Sequence, residues 1–372
     1  GACQQVGKSC LLAQLNEARV LLDAGLEIHE GTVAPDLHQH KFDACVITHA
    51  HLDHAGFAAG VTKYSDSAVF ATFPTIPLTK LLLEDAEKIA LQDKKSIPFT
   101  KQDLKKLDKK FFGQPYEHEY AFYDETRMRL LNAGHILGSA QVLLEYKRKR
   151  LLYTGDFNYS NTRTHDKATP PKEDVNTLVM ESTYANSDHP DRRKNEKEFC
   201  AAVQKAVDDG QTVIMPSFAV GRTQELIQIL YTNKVDSEVY INGMGLKVNS
   251  ICLDFPSYLH DAQIFEKALD KTKTIDSREV KKKALEKACI IIATAGMLDG
   301  GPALSYIQAL NQSKRGVIFL TGFQVPGSKK GTGLGLYSVK RVVENHNGKI
   351  TVNSSPDSGT IFKVVFPLNN SQ

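Results

Sequence analysis

Residues 49–54 read His-Ala-His-Leu-Asp-His and follow the apolar run Ala44-Cys45-Val46-Ile47 after the single residue Thr48. An apolar run of that length reads as a buried strand, so four ligand-type side chains emerge together at its carboxyl end. His49 and His51 are two apart and project to the same side of an extended segment. A turn into the helix-compatible residues beyond then presents Asp53 and His54 to a neighbouring position. Any fold of this chain must bring further ligands to this strand end. Two other segments supply them: Gly134-His135 after Arg-Met-Arg-Leu-Leu-Asn-Ala, and Gly155-Asp156 after Arg-Leu-Leu-Tyr-Thr. The expected arrangement is His49, His51 and His135 on one metal, Asp53 and His54 on a second, and Asp156 bridging. Nitrogen and oxygen donors without thiolate suit zinc, with manganese or iron as alternatives. Two metals about 3.5–4 Å apart can share a hydroxide, lower its pKa towards about 7 and stabilise both oxygens of an in-line displacement. That chemistry suits phosphodiesters and defines hydrolysis, but leaves the substrate open.

Composition narrows the setting. The chain has 372 residues, with 46 Lys+Arg against 43 Asp+Glu, so any polyanion site must come from local patches and not from net charge. With 41% hydrophobic and 24% charged residues, it is a globular chain of two or three domains. None of the six cysteines falls in a C-x-x-C pair, which points to core thiols in a reduced, cytoplasmic compartment. No apolar run approaches the roughly 18 residues of a membrane helix, and no leader is expected. The start at Gly1 is read as a fragment or processed product lacking an opening strand.

Residues 10–22 read as two strands around Asn16-Glu17, residues 79–110 as helical and lysine-rich, and Ala140–Asp156 as a hairpin with a basic tip. Thr177–Thr183 reads as a further buried strand, and the whole first region as hairpin-rich. Residues 185–195 form a polar crossover. A second region then alternates: helix 195–209, strand 211–216, helix 221–233, strand 238–241, strand 289–294, helix 302–311 and strand 316–321. That alternation predicts a mostly parallel sheet covered by helices.

Pro216–Arg222 leaves a strand and opens a helix, so free backbone N–H groups at Ser217, Phe218 and Gly221, with Arg222, are candidates to hold a phosphate. Gly296, Gly300 and Gly301 permit the same close backbone approach before the helix from Pro302. Phe218 is a candidate base-stacking ring, with a core role as the alternative. Lys147–Arg150 and Arg192–Lys194 are candidate polyanion contacts, with solvated tips as the alternative reading. The lysines between 94 and 110 read as an exposed helix face. Gly7-Lys8-Ser9 is not a P-loop, because the required glycine is one position too far away.

The segments His49–His54, Asn132–Ala140 and Thr154–Phe157 together resemble the metallo-β-lactamase signature. Residues 1–12, Glu181–Ala185, Pro216–Leu226, Thr294–Pro302 and Thr321–Ser328 are similar to its β-CASP branch, nearest the archaeal and bacterial cleavage-and-polyadenylation-type nucleases. The resemblance implies an α/β fold: an αββα sandwich over 1–186 with an α/β β-CASP domain over 187–328 inserted as a lid. It also implies two zinc ions, single-stranded RNA cleaved along its phosphate backbone, endo- or 5′–3′ exonuclease activity, and catalytic roles for Asp53, Asp156 and Glu181, the last holding a catalytic histidine. A homodimer is compatible with it.

After residue 328 the pattern changes. Lys329–Leu368, with Gly331-Thr332-Gly333-Leu334-Gly335, resembles the end of a histidine-kinase ATPase domain, so 329–372 is expected to be a fused fragment. Its other nucleotide-binding boxes are absent, so no ATP binding is expected. The two last histidines of the nuclease family are also absent, and His346 is not offered as a ligand. The second zinc site should therefore bind weakly and RNA hydrolysis should be impaired. The alternatives are a catalytically silent RNA-binding module and a metallohydrolase of another substrate.

Overall fold

The turn at Asn16-Glu17, with Asn16 at φ 54°, joins β1 (Leu11–Leu15) to β2 (Ala18–Leu22) as an antiparallel hairpin. From there the chain departs from the hairpins its spacing predicts. β3 (Ala44–Val46), β4 (Ala68–Thr72) and β5 (Phe111–Gln114) add in parallel, giving a sheet of order β1-β2-β3-β4-β5. Parallel neighbours need crossovers. Here these are α1 (Leu52–Ala55) and α2 (Ala58–Val61), then α3 (Thr75–Gln92) and α4 (Lys101–Lys110). α4 starts at a capping box in which Thr100 and Asp103 bond each other's backbone; Asp103 also pairs with Lys63, so it is buried and not part of an exposed face. The hairpin pattern holds in the second sheet. β6 (Glu119–Ala121), β7 (Arg127–Asn132), β8 (Ala140–Tyr146) and β9 (Lys149–Tyr153) are antiparallel, and β10 (Thr177–Val179) joins β9 in parallel. β10 is not the buried strand its apolar residues predict. It pairs on one side only, at the sheet edge, and Leu178 and Met180 are 51% and 54% exposed.

The structure, a computed structural model, describes residue 2 and residues 7–27, 33–185, 188–294, 296, 301–313, 316–321, 349–355 and 359–365. It divides into one unit of residues 1–185 with 257–260, and another of 186–256 with 261–372. In the first, side-chain alternation sorts two interfaces. Val20, Leu22, Ala44 and Val46 pack on Met128, Leu130, Val142 and Leu144 of the second sheet. Leu21, Cys45 and Ile47 face the opposite way, onto Ala55, Phe57, Leu83 and Leu107 of the helical side. Helices thus lie on one side of two stacked sheets. Leu131, Leu143 and Leu152 on the far face meet Val175.

The second unit carries α5 (Arg192–Asp208), β11 (Thr212–Pro216), α6 (Arg222–Thr232), β12 (Val239–Asn242), α7 (Gly245–Asp254), α8 (Ala262–Asp270), β13 (Thr272–Thr274), α9 (Arg278–Leu285), β14 (Ile290–Ala293), α10 (Gly301–Ser313) and β15 (Gly316–Ile318). Its sheet is wholly parallel, in the order β13-β12-β14-β11-β15. Both faces are covered, Ile214 and Ile291 by Ala303, Tyr306 and Ile307, and Val213 and Ile292 by Val203, Leu226 and Leu230. This is why its central strands read as unbroken apolar runs. β16 (Lys349–Ser355) and β17 (Gly359–Val365) form an antiparallel hairpin; Gly331–Gly335 and His346 lie outside the described residues. Among the described residues, no helix is long and apolar enough to cross a membrane. Cys45, Cys200, Cys252 and Cys289 are buried thiols.

Candidate metal centre

β3 ends at Val46, and the chain runs on through fully buried His49 to His51, the N-cap of α1. The first turn of α1 places Asp53 and His54 beside the two histidines. His135 comes from the turn after β7, where Ser139 Oγ accepts from the N–H groups of His135 and Ile136 at 3.0 and 3.2 Å. Asp156 follows β9. The glycine before each of these ligands is obligatory. Gly134 (φ 68°) and Gly155 (φ 53°) are left-handed, and a Cβ would lie 2.6 Å from the Asp166 carbonyl or 2.9 Å from the Thr48 side chain.

The side chains converge in two overlapping groups, His49 with His51 and His135, and His49 with His54 and Asp156. His49 thus stands between them and does not belong to one side alone. Asp156 faces both ways: Oδ1 is 3.2 Å from His54 Nε2, while Oδ2 is 3.7 Å from His135 Nε2 and 3.9 Å from His49 Nε2. Asp53 Oδ2 is 3.9 Å from His54 Nε2, outside both tight groups but adjacent to the second. The His49 and His51 Nε2 atoms are buried without a hydrogen-bond partner. Buried polar atoms are rarely left so. A basic nitrogen without a proton donor, beside a carboxylate with two free faces, is a donor set that fits a divalent cation.

One residue that the sequence pattern did not single out sets the histidine orientations. Asp23, fully buried after β2, accepts from the Thr48 N–H at 2.8 Å, the Thr48 hydroxyl at 2.9 Å, His54 Nδ1 at 2.7 Å and the Tyr153 hydroxyl at 2.9 Å. A carboxylate only accepts, so His54 Nδ1 carries a proton and Nε2 faces Asp156. The Thr48 hydroxyl has one proton, which goes to Asp23. It must therefore accept from His49 Nδ1, 3.1 Å away, and this leaves His49 Nε2 as a bare lone pair. The signal was a lone acid closing the apolar run Val20–Leu22.

Burial pushes His49 well below its ordinary value, with neighbouring His54 adding to it. Burial and then His51 push His135 down to about 3. Burial would also lower His54, but Asp23, Asp53 and Asp156 outweigh it and hold this imidazole well up. Burial opposes ionisation of Asp156, yet His54, His49 and His135 hold its carboxyl far below the usual carboxylate range. His49 and His135 therefore offer neutral nitrogens beside an ionised carboxylate, whereas the acids around His54 favour its protonated form until a cation displaces that proton.

The remaining predicted residues are placed differently. Glu181 is outside the cluster, its carboxylate accepting from the Thr183 N–H at 3.1 Å. In the second unit, the N–H groups expected to be free are partly used. Gly221 N–H donates to Gln224 Oε1 at 2.8 Å and Thr223 N–H to the Phe218 carbonyl at 3.1 Å. Ser217 is fully buried, and its hydroxyl bonds that of Thr223 at 2.7 Å. Phe218 is half-buried and Arg222 exposed. Gly296 makes a close approach, but to this chain's own backbone: a Cβ would lie 2.9 Å from Phe218 N. Gly301 opens α10 at φ 70°, and Gly300 lies outside the described residues. Of the basic clusters, Arg150 pairs with Glu145, and Arg192 with Glu196 and Glu225, so neither is a bare phosphate contact.

The family model of the Metallo-beta-lactamase superfamily matches residues 4–193, and that of the Beta-Casp domain residues 223–330. The chain belongs to the metallo-β-lactamase superfamily, in its β-CASP branch. Its relatives include the Probable RNase MJ4 of Methanocaldococcus jannaschii, 35% identical over 338 residues that cover 88% of this chain and 79% of that protein. Transcription termination factor FttA of the same organism is 33% identical, and RNase aCSPSF2 of Saccharolobus solfataricus 31%, each alignment covering 88% of this chain. The chain spans 56% of that FttA and 68% of the RNase aCSPSF2. A third model, Histidine kinase-, DNA gyrase B-, and HSP90-like ATPase, matches residues 307–370 and overlaps the Beta-Casp match at its start.

Proposed function

We propose that this chain is a zinc-dependent, RNA-processing hydrolase acting on phosphodiester bonds in the cytoplasm. The carrying observation is the partnerless buried Nε2 of His49, 3.9 Å from Asp156 Oδ2 and grouped with His51 and His135, in a family whose relatives are named RNases. In this reading His49, His51 and His135 hold one ion, His54 and Asp53 the other, and Asp156 both. Bound divalent cations would acidify water and offset charge on a phosphate. Asp23 holds His54 directly and His49 through Thr48, so the nitrogens need not reorganise on loading. We assign residues 1–186 to the metal-binding domain, 187–328 to the β-CASP domain and 329–372 to a fused ATPase-like segment. The unit boundary at 185/186 and the matched ranges support that division.

Turnover is slow in this reading, because residues 329–372 contain only His346 where the resemblance expects two histidines. Loss of general-acid help costs about 10²–10⁴-fold. A labelled single-stranded RNA incubated with zinc-loaded protein should be cut slowly, and not at all with chelator or with Asp156→Ala. No cleavage by the wild type, together with RNA binding indifferent to chelator, would turn the assignment to a silent RNA-binding module. Cleavage at the rate of an intact relative, lost in Asp156→Ala, would overturn the impairment.

A further inference from the structure

We propose that the Ser9 hydroxyl is a ligand of the second cation site, completing a set with His54, Asp53 and Asp156. This rests on the metal-centre reading above. Ser9 is 6% exposed, on a segment pinned along the second group. Its N–H donates to the Asp53 carbonyl at 2.8 Å, and its own carbonyl accepts from the Gly25 N–H at 2.8 Å. A Cβ on Gly25 would lie 1.7 Å from the Asp53 carbonyl oxygen and 2.7 Å from Ser9 N. Three backbone segments are thus pressed flush, and the serine has no room to draw back.

The hydroxyl oxygen lies 3.3 Å from His54 Nε2. That same nitrogen is 3.2 Å from Asp156 Oδ1 and 3.9 Å from Asp53 Oδ2. Because His54 Nδ1 is committed to Asp23, Nε2 is the only side of the ring open to an ion. Donors at about 2.0–2.2 Å around a tetrahedral ion are about 3.3–3.6 Å apart, and the three spacings bracket that value. Ser9 Oγ and Asp156 Oδ1 thus flank His54 Nε2 at that spacing, with Asp53 Oδ2 farther out.

The set is also unlike its neighbour in chemistry. His49, His51 and His135 offer three nitrogens, whereas Ser9, Asp53 and Asp156 offer three oxygens to a single nitrogen. Nitrogen donors favour zinc and oxygen donors a harder ion such as manganese. A neutral hydroxyl is moreover a poor donor, so this site is the weaker of the two. A serine that only hydrogen-bonds the imidazole would share the 3.3 Å contact but would not contribute to ion binding.

Metal-free full-length protein titrated with cobalt, followed by calorimetry and optical absorption, separates these roles. Wild type should bind two ions. Ser9→Ala should keep the tighter one and lose at least about tenfold in affinity for the second. Ser9→Cys, close in shape and able to bind through a thiolate, should bind two and gain a sulfur-to-cobalt charge-transfer band. Two ions with unchanged affinities in Ser9→Ala, or two ions without that band in Ser9→Cys, would overturn the ligand role alone. Failure of wild type to bind any cobalt would overturn the metal-centre reading, and the Ser9 ligand with it.

Discussion

Thr48 shows how much one hydroxyl can decide at the metal centre. Its single proton is committed to Asp23, and its lone pair therefore dictates which nitrogen of His49 is bare. Thr48→Val keeps the shape and removes the relay. The His49 ring should then populate both tautomers, visible in the side-chain ¹⁵N shifts of the metal-free protein. Affinity of the first site should fall by about 10–100-fold, and Thr48→Ser should restore both. An unchanged tautomer in the valine variant would remove the relay from consideration. Acid behaviour at this scale follows from His135. Burial holds its imidazole at about 3 against an ordinary 6.5, so the unfolded chain takes up the proton first. Its contribution is complete above about 6.5 and drains away as pH falls towards 3. Denaturant midpoints of metal-free protein should therefore decline across that window, and less steeply in His135→Asn. Equal slopes would show that another group governs the decline.

At the scale of elements, Asp124 fastens one turn to another. It accepts from Asn16 Nδ2 and the N–H groups of Glu17 and Ala18 in the β1–β2 turn, and from the N–H and hydroxyl of Thr126 ahead of β7. Burial works upward on its carboxyl, but the bonds from Thr126, Ala18 and Asn16 prevail and hold it at about 2. Its support is present above about 4 and lost as pH falls towards 2. Asp124→Ala should cost about 2 kcal/mol in urea unfolding at neutral pH, and nothing measurable below pH 2. How far such elements were legible depended on range. His49–His54 stood out because its ligands are local to one strand end, and His135 and Asp156 because each follows a glycine after an apolar strand. Asp23 and Ser9 reach His54 from segments distant in sequence, and Thr48, although it adjoins His49, orients it only because its proton goes to Asp23, so local context does not carry these pairings. β10 misled because an edge strand can be as apolar as a buried one. α7, α8, α9 and β13 had no counterpart in the pattern, their short amphipathic stretches lying between the stronger signals of β12 and β14.

Each unit has hydrophobic clusters of its own, and the residues proposed to hold the ions belong to the first. β3 and β8 share the first unit's inter-sheet core, while β11 and β14 lie in the parallel sheet of the second. A ligand that binds only the folded form stabilises it by RT ln(1 + [L]/Kd), about 2.7 kcal/mol at a hundredfold excess over Kd. That gain should appear where the ligands are anchored. Hydrogen exchange followed by mass spectrometry, with and without saturating zinc, should show amides of β3 and β8 slowed about a hundredfold where exchange requires opening of that unit. Amides of β11 and β14 should exchange at the same rate in both conditions. Slowing of equal size in both units would mean that the chain opens as one cooperative body, so that metal occupancy is linked to the β-CASP fold as well. Slowing in neither would mean that the imidazoles and carboxylates gathered at the strand ends hold no ion at all. The same experiment on Asp156→Ala is the internal control: this side chain faces both groups, so its loss should abolish the zinc-dependent difference while leaving the β11 and β14 rates where they were.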